Sequence, residues 1–362
     1  MQHGIKTWVG LACRSSSYKT VYGTCLPSSI VSFALQVILA MKVSSWIIAA
    51  GLSKLCSASL YGESSLNHSC VLSKPLLSCS PEANAPDAFK TLDTCCVETY
   101  GGLFLSTQFW STYTGYESKG QLLPPNSWTL HGLWPDFCNG SYTQYCDLKR
   151  QYDPAPSPNT TNGLPNGTVV PPYTGPTVDT FVTKFGKNSL LAYMNKYWIN
   201  QGAPNTDFWA HEFSKHATCY STFDVPCYGP EYVEHQEVPE FFETAIKYYQ
   251  RLPTWNWLDA AGIKPSNSTK VSLSDLQNAL VKGYGALPYI GCSGPKYNET
   301  AAGKGSTDNG RTQLSEVWYY FHSLGRPQDG AWVPVNATGF VTTCAKTKGA
   351  ILYPQRGAGT EW

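Results

Sequence analysis

Two stretches decide the reading of this chain. One is Ser127-Trp128-Thr129-Leu130-His131-Gly132-Leu133-Trp134-Pro135-Asp136-Phe137-Cys138. The other is Phe208-Trp209-Ala210-His211-Glu212-Phe213-Ser214-Lys215-His216-Ala217-Thr218-Cys219. The second reads as a helix. At ~100° per residue with His211 at zero, Lys215 falls near ~40°, Phe208 near ~60°, Glu212 near ~100° and His216 near ~140°. Four ionisable groups and an aromatic ring thus share one face. In the first stretch, Trp128–Gly132 reads as a β-strand running into a turn, with His131 at its end.

Working outward, Leu103–Trp110 is apolar and β-prone and is expected to be a strand. Residues 147–177 carry seven prolines between Pro154 and Pro176, a density that no helix or central strand tolerates. A long surface loop is expected there. Val178–Trp198 has apolar residues at helical spacing with a weak point at Gly186, and Pro239–Leu252 and Ser274–Gly283 are further helices. Glu316–Ser323 reads as a strand whose Trp318-Tyr319-Tyr320-Phe321 run belongs to the core. Helices and strands mix without βαβ regularity, so the expected class is α+β, in a single domain spanning 59–362.

The 362 residues carry a formal charge of +1 and 13 cysteines. Residues 1–58 contain Lys6, Arg14, Lys19, Lys42 and Lys54 and no acidic residue. Met41-Lys42, the apolar run Val43–Leu52 and Cys56-Ser57-Ala58 have the layout of a secretory signal, so 41–58 is expected to be one and 1–40 an upstream extension. Without this leader the charge becomes −4 and the cysteine count an even ten. Seven Asn-x-Ser/Thr sequons remain, at Asn67, Asn139, Asn159, Asn166, Asn267, Asn298 and Asn336. Paired cysteines beside sequons point to an oxidising compartment: secreted, or a vacuolar or lysosome-like lumen.

Three chemistries compete for the histidine-rich face. A zinc site of the His-Glu-x-x-His kind needs histidines at i and i+4, but His211 and His216 stand at i and i+5, with Lys215 between them. A serine or cysteine nucleophile lacks a Gly-x-Ser-x-Gly elbow, and the cysteines read as paired. The third reading needs neither metal nor cofactor. RNA carries its own nucleophile, the 2′-hydroxyl, and its cleavage requires a base, an acid and positive charge at the phosphorane. Histidine titrates close to the working pH and suits both proton-transfer roles. His68, inside a sequon, and His235, in an acidic stretch, are expected to be solvated, and His322, in an aromatic strand, is expected to be a satisfied core or interface residue.

With these residues in view, the chain resembles the ribonuclease T2 family of secreted, acid-active, base-nonspecific endoribonucleases. Its His131-to-Asp136 and His211-to-Cys219 blocks are similar to the family's two active-site segments. The resemblance covers roughly residues 66–350 and includes the adjacent Cys95-Cys96 pair and the late Cys292 and Cys344. It implies a central antiparallel sheet packed with several helices. It also implies His131 and His216 as the acid–base pair, His211 as the phosphate-binding histidine, and Glu212 and Lys215 as stabilisers of the transition state. Trp134, Asp136 and Tyr142 match a first base pocket, with Phe208 between pockets and Gln108, Asn200 and Gln201 in a second. The implied bridges are Cys70–Cys96, Cys79–Cys138, Cys95–Cys227, Cys146–Cys219 and Cys292–Cys344. Phe213 and Ala217 stand where many fungal members have Trp and Gly. Phe213 falls near ~200°, away from the catalytic face, so little effect is expected.

The expected protein is therefore a monomeric glycoprotein that cuts single-stranded RNA, without DNA or membrane partners once the leader is removed. The alternative of another class is a secreted binding or effector protein that keeps the fold without the activity.

Overall fold

A computed structural model describes Cys70 and residues 73–300 and 305–362. The leader, His68 and the Asn67 sequon lie outside the described residues. Seven strands form one sheet: β1 (Leu103–Phe109), β2 (Thr129–Asp136), β3 (Lys270–Val271), β4 (Tyr289–Lys296), β5 (Arg311–Ser323), β6 (Trp332–Val335) and β7 (Ile351–Leu352). The main path runs β2-β1-β5-β7-β3, with β4 and β6 also pairing β5. All pairings are antiparallel except β5 with β7. Among the described residues, six helices of seven or more residues accompany the sheet: α1 (Val178–Lys184), α2 (Asn188–Tyr197), α3 (Asn205–Lys215), α4 (Glu237–Tyr249), α5 (Thr254–Ala260) and α6 (Leu273–Tyr284). This is the expected α+β class.

The 13-residue β5 organises the core through its alternation. Val317, Tyr319 and Phe321 are fully buried. Phe321 stacks between Phe104 of β1 and Tyr248 of α4. On α4, Val238, Phe241, Phe242, Ala245 and Tyr248 recur at helical spacing and are also fully buried. Truncating such a phenylalanine to alanine costs about 3–5 kcal/mol. Trp318 and Tyr320 point the other way, into a cleft. The expected core run largely holds: Tyr319, Tyr320 and Phe321 are buried, with Tyr320 also lining the cleft, and Trp318 is half-buried in the cleft wall.

Three boundaries differ from expectation for local reasons. The long helix over 178–198 divides into α1 and α2, because Gly186 adopts φ +67°. The helix expected over 208–219 starts at Asn205, after Pro204, and ends at Lys215. Its continuation, Ala217–Cys219, is 3-10. Between 147 and 177 the chain forms no α-helix or sheet strand; only the Thr160–Val169 bridge and one 3-10 turn interrupt it.

The five implied disulfides all form. Cys79–Cys138 ties the end of the β2 segment, and Cys146–Cys219 ties the end of the α3 segment. His235 is packed rather than solvated: it stacks on Phe181 at 3.8 Å and its Nδ1 meets Tyr152 Oη at 3.0 Å.

Candidate active site

The two motif segments meet in one cleft of about 580 Å³. His131, Trp134 and Asp136 reach it from β2, and His211, Glu212, Lys215 and His216 from α3 and its end. The expected turn at Gly132 is instead a β-bulge. Thr107 pairs with Gly132 but Gln108 pairs with Leu130, so His131 is the extra residue of β2. Strict alternation would put His131 on the face of the buried Leu133. The bulge sends it to the cleft with Trp134 and Asp136. Gly132 is required by close approach, since a Cβ there would stand 1.9 Å from Glu212 Oε2.

Each histidine is held differently. His131 Nδ1 lies 2.8 Å from Glu316 Oε1, and its Nε2 is 3.5 Å from Glu212 Oε1. Its ring stacks on Phe109 at 3.8 Å, with Phe208 at 5.5 Å behind it. His211 Nδ1 lies 2.8 Å from Asp153 Oδ2, which also accepts from Tyr145 Oη at 2.9 Å. His216 stacks on Trp134, with ring centroids 5.0 Å apart. Burial pushes the His216 imidazole well below its ordinary value, aided by Lys215, His211 and His131. Burial also lowers Lys215, against the pull of Glu212 and Asp153.

Glu212 is fully buried. Its Oε2 accepts from Trp134 Nε1 at 2.8 Å, while Oε1 has no hydrogen-bond partner. A buried carboxylate oxygen without a partner is costly, and here it faces the cleft next to His131. Trp134 is therefore more than a stacking surface. It stands edge-on to His131 at 4.7 Å, lies flat on His216, and fixes the carboxylate between them.

The Ribonuclease T2 family profile matches residues 101–329 of the chain. Ribonuclease Trv of Hypocrea rufa is 36% identical over 252 residues, covering 70% of this chain and 87% of that protein. The chain belongs to the ribonuclease T2 family. Ribonuclease T2-like of Aspergillus fumigatus is 34% identical over 275 residues, 76% of this chain but 54% of that protein. Ribonuclease T2-like 1-A of Candida albicans is matched over 60% of its length, so the chain spans little more than half of these two relatives. The crystal structure of Actibind, a T2 ribonuclease, superposes with a TM-score of 0.57 at 28% identity, covering 78% of this chain and 97% of that one.

Within this T2-family site, Tyr142 lines the cleft beside Trp134 and Asp136. Burial pushes the Asp136 carboxyl up to about 7. Gln108 requires a correction as a base-pocket residue. It is fully buried, its Nε2 donates to Leu252 O at 2.9 Å, and its Oε1 accepts from Thr254 Oγ1 at 2.7 Å. It does not line the cleft. Asn200 and Gln201 stand on the loop between α2 and α3, outside the cleft lining, where Asn200 Nδ2 donates to Pro204 O.

Two residues that the motifs do not contain complete the site. Asp153 arrives from the Pro-rich segment, which is strapped to α3 by Tyr145 N to Lys215 O, Tyr152 N to Ser214 Oγ and the Cys146–Cys219 bridge. That segment also builds a wall: Pro158 lines the cleft together with Gln144, which precedes the segment, and Lys215 Nζ donates to Ser157 O at 3.3 Å. Glu316 arrives from β5, directly opposite Phe109 in the β1 ladder. The acidic residue of the run Ser315-Glu316-Val317 was the available signal, since a carboxylate in an otherwise apolar strand calls for a partner.

Among the described sequons, Asn139, Asn159, Asn166, Asn267 and Asn336 are exposed. Asn298 is half-buried with its Nδ2 donating to Asn309 Oδ1. Among the described residues, no helix is long and apolar enough to cross a membrane.

Proposed function

We propose that the protein is a base-nonspecific endoribonuclease that cleaves single-stranded RNA by transphosphorylation, acting as a monomer without metal. The observation that carries this reading is the pairing of two unlike histidines about one buried carboxylate. His216 is kept neutral by burial and by neighbouring cations, the state a general base needs. It takes the 2′-hydroxyl proton as that oxygen bonds to phosphorus. His131 can donate a proton to the leaving 5′-oxygen as the P–O5′ bond breaks, because Glu316 accepts at its Nδ1 and leaves Nε2 facing the cleft. The product is a 2′,3′-cyclic phosphate, and slower attack by water gives the 3′-phosphate. His211, oriented by Asp153, and Lys215 supply positive charge at the phosphate, with Glu212 sharing the phosphorane proton.

Trp134, Asp136 and Tyr142 would hold the first base, with Phe208, Asn200 and Gln201 toward the second. Stacking tolerates any base, and one titrating carboxyl biases the choice. The setting would be secretion or a vacuolar lumen, with 41–58 the signal, 59–362 the working domain and the exposed sequons glycosylated.

Digestion of RNA oligonucleotides with and without EDTA, comparing the native protein with His131→Phe, tests the reading. Cyclic-phosphate products that persist in EDTA and vanish in the variant are expected. Cleavage abolished by EDTA, or untouched by the substitution, would sink it.

A further inference from the structure

Beside the catalytic cleft lies a second groove of about 680 Å³, and the two share one residue, Phe340. Phe340 is 72% exposed, a large ring left in solvent at the junction. Behind it an aromatic path leads inward: its ring centroid is 6.5 Å from Tyr289, which stacks on Trp318 of the cleft wall at 4.0 Å. The second groove changes in character. Its lining is polar, with Thr307, Thr342, Thr343 and Thr347 and the exposed cations Arg311 and Lys346.

The groove has a built floor. Cys292–Cys344 bonds it to β4, Thr342 Oγ1 donates to Ile290 O, and Thr343 Oγ1 accepts from Cys292 N. One carboxylate, Asp308, also lines it. Asp308 is consumed internally, accepting from Lys346 N, Thr347 N and Thr347 Oγ1 through Oδ2 and from Gly310 N through Oδ1. A rigid polar trough with two cations and an aromatic at its inner end has the layout of a single-strand track.

Resting on the ribonuclease reading, we propose that this groove is an outer RNA subsite. A base stacks on Phe340, and the next phosphate of the strand lies between Arg311 and Lys346, beyond the nucleotides that flank the cut bond. The late disulfide then has a functional purpose, keeping the track aligned with the cleft.

The test compares a dinucleoside monophosphate, which cannot reach the groove, with an octanucleotide, which can. The native protein is expected to favour the octamer in kcat/KM by at least about fivefold, the worth of one stacked base. In Lys346→Ala, and in Arg311→Gln with Lys346→Ala, the octamer-to-dinucleotide ratio should fall toward one. The salt slope for the octamer should shrink by about 0.7 per cation removed. Dinucleotide cleavage in the same samples reports folding. A native ratio near one, or a ratio unchanged by both variants, would overturn the subsite and leave the ribonuclease assignment standing. Failure of the native protein to cut either substrate would overturn both.

Discussion

The two histidines proposed as acid and base sit in different environments, although one tryptophan and one carboxylate lie against both. His131 stands on a β-bulge with a carboxylate at each ring nitrogen, Glu316 at 2.8 Å and Glu212 at 3.5 Å. His216 closes α3, buried beneath Trp134, with Glu212 Oε2 4.0 Å from its Nε2 and with Lys215 and two other histidines as cationic neighbours. Burial and neighbouring cations favour the neutral ring at His216. Unlike settings let one residue type serve in two proton-transfer roles. A sheet bulge and a helix end provide that asymmetry here.

The sharpest way to break this comparison is to remove either ring. His131→Phe and His216→Phe should each lower kcat by about 10³-fold or more, with RNA binding retained. Retention of substantial activity by either variant would end the acid–base assignment. Next in size is Glu212→Gln. A buried carboxylate with one free oxygen acts where charge develops, and its loss should cost about 10²-fold in kcat with little change in KM.

Smaller effects separate the partners behind the rings. Glu316→Gln removes one charge-assisted bond to His131, and Asp153→Asn removes one to His211. Each should cost about tenfold or more. Their signatures differ. Glu316→Gln should chiefly lower kcat, because His131 loses the carboxylate that orients its ring. Asp153→Asn should chiefly raise KM, because His211 is proposed to meet the phosphate. Identical effects of the two variants would mean that both are merely structural.

These partners also mark where the sequence stopped being legible. His211, Glu212, Lys215 and His216 were readable because they cluster within six residues of one helical segment, and β1 and β5 were readable from their apolar runs. The five bridges followed from the family resemblance, not from spacing. Asp153 and Glu316 were not readable: they lie 58 and 185 residues from the histidines they meet, and only the strapped Pro-rich segment and the β1–β5 pairing bring them in. The bulge at His131 depends on a register shift against β1, which the β2 sequence does not carry alone. Gln108 misled because its type fits a base pocket, whereas its strand position aims it at Thr254 and Leu252.

The gentlest test turns on Asp136 and His216 together, whose proton equilibria oppose each other in stability. Burial raises Asp136 to about 7, so the folded chain holds a proton there that the unfolded chain releases near its ordinary value. That contribution is fully present below the unfolded pKa and is lost as pH rises toward 7. His216 is depressed, so the unfolded chain takes up a proton first on acidification, and stability falls as pH drops below about 6.5. Between those limits the two slopes, each at most about 1.4 kcal/mol per pH unit, offset one another. Asp136→Asn should unmask the histidine slope, making unfolding easier toward acid pH. His216→Phe should unmask the carboxyl slope, making unfolding easier toward neutral pH. Urea melts of the two variants between pH 4.5 and 7 check this. Slopes of the same sign would show that burial does not move the two groups in opposite directions. In activity, Asp136→Asn should alter the order in which bases are preferred and remove its drift with pH near 7, while the cutting chemistry continues.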